Sequence, residues 1–423
     1  MVRGSSKMVG KIAPHATGSH FKQERKHGIL LRKDGDPMKV EFFRHSLGEA
    51  EIQSMIRALK GLFLTAGPFT RKFEESFAQY LNCRRVVGTW SGTTALFLCL
   101  KALNIGRGDE VITTPMTFVA TSNTILEAGA TPVFVDVEEA TGNMDATLIE
   151  KAIGPKTKAI MPVHLYGHMC DMKRIRHIAD RHGLFIIEDA AHCIEGKRDG
   201  IRPGQLGDAA CFSFYATKNI TSGEGGAIAT HNHTLAKKLC LLRSHGINRE
   251  ASKRYEGKFR HWDMTCMGYK GNMFDLQAAL LLPQLPRLKE QLKKRRNIFE
   301  QYVSAFQPVQ EIDTPQILPG TRHAHHLFTI WVHPDRRDQV IHKLRENGIG
   351  TAVNYRPVHL LTYYRETFGF TEGLYPRTEF IGNRTLSLPL YPRMTEEDVK
   401  KVIQAVKKAM KHPKHLNIKK TAS

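Results

Sequence analysis

From about residue 47 to 245, short apolar runs of β type alternate with stretches of helical period. The runs are VIT (111–113), PVFVDV (132–137), AIMPVHLY (159–166), LFIIEDAA (184–191), AACFSF (209–214) and GAIAT (226–230). Between them, MKRIRHIADRHG (172–183) and TLAKKLCLLRSHG (234–246) carry amphipathic helical patterns. Such alternation predicts a sheet with many parallel strands covered by helices on both faces. Ligands of such sheets gather at the carboxyl ends of the strands. A long basic helix near 284–306 leads into a second domain running to about residue 410, with an apolar strand LFTIWVH (327–333) and a final helix EEDVKKVIQAVKKAM.

One predicted helix has an unusual start. GTWSGTTALFLCLKAL (88–103) crowds Gly88, Ser91, Gly92, Thr93 and Thr94 where a single capping residue would do. A helix N-terminus leaves backbone N–H groups unpaired and carries partial positive charge, so small and hydroxylated residues there can seat a phosphate. An ordinary N-cap is the bland alternative.

Composition narrows the classes. With 423 residues and an ordinary apolar fraction, the chain can bury a large α/β core and a smaller one. It has no run of roughly 18 apolar residues, and its basic start lacks the apolar segment of a signal peptide, so the expected location is cytoplasmic. Seven scattered cysteines without CxxC spacing or a Cys/His cluster read as reduced core residues, and no metal site is expected. The net charge of +21 raises nucleic-acid binding as an alternative. Eleven of those charges come from the tails, residues 1–38 and 407–423, which are polar and lack apolar periodicity. The remaining +10 over 368 residues suits anionic substrates without demanding DNA or RNA.

Two stretches carry candidate chemistry. In FIIEDAAH (185–192) a strand ends in acids, which puts Asp189 at the ligand edge of the sheet; a cap or turn acid is the alternative. In CFSFYATKNITSGEGGAI (211–228) a strand breaks into a polar loop with Lys218, with Ser213 and Thr217 beside it and a glycine turn behind, which points to a held lysine; an ordinary solvated loop lysine is the alternative. A phosphate seat, a strand-end carboxylate and a held lysine meet the needs of pyridoxal phosphate. That cofactor requires an amine to bond its aldehyde, an acid to keep its pyridine nitrogen protonated, and donors around its phosphate.

SGTTALFLCLKAL, GDEVITTPMTFVATSNTILEAGATPVFVDV, IIEDAAHCIEG, GDAACFSFYATKNITSGEGGAI and GYKGNMFDLQAALLLPQL resemble the DegT/StrS family of pyridoxal-phosphate-dependent sugar aminotransferases. The resemblance runs from about residue 43 to 410, through NYRPVHLL and TLSLPLYPRMTEEDV. It implies an α/β fold-type I aminotransferase: a large, mostly parallel seven-stranded sheet domain over 43–285, then a helix and smaller C-terminal α+β domain over 286–410. A basic extension (1–42) and a basic tail (411–423) lie outside these. It further implies a homodimer with shared active sites. By the same resemblance Lys218 is the Schiff-base lysine and Asp189 the acid under the pyridine nitrogen. Gly92, Thr93 and Ser213 match phosphate contacts, Phe118 the aromatic stacked on the ring, and His192 a residue against the ring or its 3-hydroxyl. Lys270 and Asn272 match a segment lent to the neighbouring subunit's phosphate site, with Gly271 where a bulky aromatic is common, and His359 matches a position near the sugar.

Family members with histidine in place of the lysine are sugar dehydratases; Lys218 therefore implies amino transfer. The expected donor is L-glutamate or L-glutamine, and the expected acceptor a keto sugar on a nucleotide diphosphate, for polysaccharide or antibiotic sugar synthesis. A cyclitol or other non-nucleotide ketone is an alternative acceptor. A cofactor-binding regulatory protein without turnover is the alternative outside enzymes, and neither nucleic acid nor membrane is expected as a partner of the core.

Overall fold

The computed structural model describes residues 39–248 and 261–411, and these described residues form one compact unit. The extension expected over 1–42 and the tail over 411–423 lie almost wholly outside the described residues. In chain order the helices are α1 (Glu49–Leu59), α2 (Pro68–Leu81), α3 (Gly92–Ala102), α4 (Ala120–Ala128), α5 (Met172–His182), α6 (His233–Leu242), α7 (Asp275–Leu281), α8 (Leu288–Phe306), α9 (Pro334–Glu346), α10 (Thr362–Phe368), α11 (Pro376–Arg384) and α12 (Glu396–Met410). The strands are β1 (Arg85–Thr89), β2 (Glu110–Thr113), β3 (Thr131–Phe134), β4 (Thr157–Ile160), β5 (Phe185–Asp189), β6 (Lys197–Arg198), β7 (Ala209–Ser213), β8 (Gly226–Thr230), β9 (Thr321–Arg322), β10 (Phe328–Trp331) and β11 (Thr385–Leu388).

Seven strands form the main sheet in the order β1-β8-β7-β5-β4-β2-β3, parallel except that β8 runs against both neighbours. All six predicted apolar runs enter it, and β1 joins from RVVGT, a run that the alternating pattern does not single out. The run at 159–166 outlasts its strand by six residues. Pro162 has no N–H for the ladder, so β4 stops at Ile160 while its chain continues into a tight turn at Tyr166. Pro132 is accommodated because β3 is an edge strand.

Alternation along the central strands builds cores on both faces. Ala209 and Cys211 of β7 pack with α3 and α6, whereas Ala210 and Phe212 pack with Phe73 and Phe77 of α2. Phe77 meets Phe212 edge to face at 5.2 Å between centroids and Phe214 at 5.7 Å. Truncating such a buried ring costs about 3–5 kcal/mol. A separate core lies between the β10-β11 pair and α8, α9 and α12, with Phe328, Ile330, Leu386 and Leu388 at its centre. All seven cysteines are free thiols; Cys83, Cys240 and Cys266 are only half-buried.

Register brings the chemistry to one edge. Thr89 lies opposite Gly226, Gly226 opposite Ser213, and Cys211 opposite Asp189. The exit of β1 into α3, the loop after β7 and the end of β5 therefore share the carboxyl edge of the parallel strands.

Candidate active site

At that edge a cavity of about 520 Å³ opens, within the range of small-molecule sites. Gly92, Thr93, Phe118, Asp189, His192, Ser213 and Lys218 all line it. The lysine loop, residues 214–225, leaves and re-enters the sheet at paired positions. Phe214 N–H donates to Gly225 O at 2.8 Å, and Ser222 N–H and Thr221 Oγ1 donate to Phe214 O at 3.0 and 3.1 Å. Lys218 sits between these pins, its own N–H donating to Tyr215 O at 2.9 Å. Burial pushes its amine down to about 8, partly opposed by the carboxylate of Asp189.

Asp189 is buried at the end of β5. Its Oδ2 accepts from Thr121 Oγ1 at 2.8 Å and its Oδ1 from Ala191 N–H at 3.2 Å. Thr121 is steadied in turn by Thr117, hydroxyl to hydroxyl, at 2.8 Å. Burial raises the Asp189 pKa against these hydrogen bonds and against Lys218. A cation brought into the cavity would therefore be bound strongly by this carboxylate.

His192 has a fixed tautomer. Tyr166 N–H donates to its Nδ1 at 3.3 Å, so Nε2 carries the hydrogen and donates to Tyr355 Oη at 3.0 Å. Burial, with Lys218 nearby, holds the imidazole well below its ordinary pKa, and the ring is neutral. Tyr166 is itself anchored through its hydroxyl to Asn354 O.

The start of α3 answers both readings of its sequence. Ser91 is an ordinary N-cap, its Oγ accepting from Thr94 N–H at 3.1 Å. Gly92 is needed for close approach, since a Cβ there would stand 2.8 Å from Ser213 Cβ; one on Gly226 would collide with Ser91 O. Helix α3 is thus pressed onto the β7-β8 edge with the N–H groups of Gly92 and Thr93 free of intrahelical partners. An anion at this point meets a helix N-terminus and the Ser213 hydroxyl. Phe118 stands at the rim, 55% exposed, with ring area free for a flat ligand. An anion seat, a water-shielded acid in need of a cationic partner, a depressed amine and an open aromatic face fit pyridoxal phosphate.

Three candidates lie elsewhere. Lys270 is exposed and bridges Ser244 through its backbone. Asn272 is buried, donating from Nδ2 to Thr65 Oγ1 at 2.7 Å. His359 is wholly buried against Tyr375, its Nε2 bonded to Glu379 Oε1 at 3.0 Å. Conversely, sequence reasoning missed Thr121 and Tyr355. The Thr117/Thr121 spacing beside an acid was a weak local signal; Tyr355, 163 residues from His192, gave none. Among the described residues Lys218 is the one cation lining the cavity.

Residues 45–407 match the DegT/DnrJ/EryC1/StrS aminotransferase family. The spore coat polysaccharide biosynthesis protein SpsC of Bacillus subtilis is 44% identical over 86% of this chain and 95% of its own length. DesV of S. venezuelae, solved in complex with a ketimine intermediate, is 36% identical with a TM-score of 0.80, covering 86% of this chain and 95% of that one. A Streptococcus pneumoniae protein solved in its PLP form is 30% identical with a TM-score of 0.82, covering 88% of this chain and 100% of that one. The same protein in its PMP form is 31% identical with a TM-score of 0.83, covering 88% and 99%.

Proposed function

Given that this chain belongs to the DegT/DnrJ/EryC1/StrS aminotransferase family, and is a pyridoxal-phosphate-dependent transaminase of fold type I, we propose that it aminates a keto sugar carried on a nucleotide diphosphate. The amino donor in this reading is L-glutamate or L-glutamine, and the product an amino sugar for a surface polysaccharide or antibiotic sugar. The convergence of Lys218 and Asp189 in one cavity at the start of α3 carries the reading, and the likeness to SpsC supports the polysaccharide setting.

When bound, the cofactor supplies an aldehyde that captures amino groups and a ring that withdraws electrons from the bond to be broken. In our reading, Lys218 would hold it through Nζ, and the same amine, when free, would be the base that receives the proton from the donor's Cα. An amine poised at about 8 is well matched to that transfer. Asp189, oriented by Thr121 and Ala191, keeps a proton on the ring nitrogen. The N–H groups of Gly92 and Thr93 and the hydroxyl of Ser213 hold the phosphate. Phe118 and neutral His192, both on the cavity wall, would hold the ring. Lys270 and Asn272 serve the site of a second subunit in a homodimer; exposed Ile52, Leu59 and Leu62, with Trp262, Met264 and Met267 near Lys270, support such an interface. His359, tied to α11 through Glu379, steadies the segment that sets Tyr355 on the cavity wall.

The test is to load the enzyme with pyridoxamine phosphate, offer a panel of nucleotide keto sugars and read which one restores the aldehyde absorbance. Failure of every nucleotide sugar, with restoration by a free cyclitol ketone, would favour a non-nucleotide acceptor. That second reading draws support from the single cation lining the cavity among the described residues.

A further inference from the structure

Behind Lys218 and His192 lies a buried polar cluster that the mechanism above does not use. Glu195 accepts from Asn219 Nδ2 through Oε2 at 2.8 Å. Its Oε1 faces Arg295 Nη1 at 3.8 Å, too far for a hydrogen bond, and neither of those two atoms has another partner. Arg295 arrives on α8 and is buried, donating from Nη2 to the backbone oxygen of Asn219 at 2.9 Å. Asn219 Nδ2 also donates to Ala324 O at 2.9 Å, which leaves its Oδ1 to accept from His326 Nδ1–H at 3.1 Å. The His326 ring then lies 4.4 Å from that of His192. Lys218, Asn219, His192 and His326 border a common void of about 10 Å³, no larger than a single water.

An asparagine in a loop is ordinarily solvated. Here both carboxamide atoms and the main-chain oxygen of Asn219 are committed to partners from β9's flank, α8 and the segment after β5, and the next residue back is Lys218. We propose that Asn219 is a positioning residue for the Lys218 amine, clamped by Glu195, Arg295 and His326 so that the C-terminal part of the chain sets where the lysine stands. The proposal rests on the reading of Lys218 as the reacting amine. A cluster of purely structural value would affect stability and leave the chemistry of folded enzyme alone.

The experiment uses cofactor-loaded enzyme and four proteins: wild type, Asn219→Ala, His326→Ala and His326→Gln. Borohydride trapping on wild type checks the underlying reading first, since label on another lysine defeats that reading and this one with it. Two further readouts then address Asn219. One is the single-turnover rate with L-glutamate, against the concentration giving half of it. The other, which needs no correct donor, is the pH midpoint of the bound cofactor's absorbance change. Asn219→Ala and His326→Ala should slow the turnover by at least about tenfold and shift the midpoint, with the half-saturating concentration within about threefold. His326→Gln keeps a donor toward Asn219 Oδ1 and should restore both readouts. If Asn219→Ala does not fold, the His326 pair decides alone. Folded variants with wild-type midpoint and turnover, or a glutamine no better than alanine, overturn the proposal.

Discussion

Replacing Asp189 with asparagine should move two observables in directions that a merely structural acid would not. In the wild-type protein without cofactor, burial lowers the Lys218 pKa from 10.5 to about 8 while Asp189 pulls it back up. That shift corresponds to about 3 kcal/mol of disfavour for the charged amine. At pH 8 about half of the amines are then neutral nucleophiles, against about 0.3% for an unperturbed lysine, roughly a 150-fold difference. Asp189→Asn keeps the shape and can still hydrogen-bond Thr121 or Ala191, but it removes the one charge that raises Lys218. Burial is left unopposed, so the midpoint should fall below 8. The assay is reductive methylation of apo-protein across pH 6–10, with modification at Lys218 read by peptide mass. Loaded with cofactor, the same variant should lose at least about 100-fold in kcat through the missing charge beneath the ring. If the acid served only to hold the fold, its loss would admit water and raise the midpoint toward that of a free lysine. A rise, or an unchanged midpoint with near wild-type turnover, refutes the electrostatic argument.

Borohydride reduction of the loaded enzyme should place the cofactor on Lys218, and Lys218→Ala should still bind it through phosphate and ring contacts without transaminating; absorbance and turnover check both. Mixing Lys218→Ala with Lys270→Ala/Asn272→Ala should restore activity toward about a quarter of wild type if those residues act across a dimer, and proven subunit exchange without recovery would end that reading. Stability should fall between pH 8 and 5. Buried His168 and His325 are held down to about 4, and His192, His323 and His326 are also depressed, so the unfolded chain binds protons that the folded one refuses. Each of the first two costs about 2 kcal/mol at pH 5, while Glu195, raised to about 7, returns about as much in the same window. Thermal unfolding of apo-protein at pH 5 and 8 measures the balance, and an unchanged Tm would show that water reaches these histidines.

Local sequence was sufficient for six of the seven strands of the main sheet, because short apolar runs between amphipathic helices have few other ways to bury both faces. It also placed Asp189 at a strand end and Lys218 in the loop after a strand, and register then carried both to one edge. Composition and periodicity had no hold on β1, a five-residue strand beginning with arginine and ending in glycine and threonine. The two prolines, too, set strand limits only in context: Pro132 could stay in an edge strand, whereas Pro162 ended an inner one. Gly92 was legible as a loosened helix start, but not as the point where α3 touches Ser213, a contact 121 residues away in the chain that only sheet order creates. Thr121 on Asp189, Tyr355 on His192 and Arg295 on Asn219 lie further out of reach. Each is an ordinary polar residue in its own neighbourhood, and acquires its role when packing removes water and leaves a hydrogen bond from a distant segment as its remaining partner.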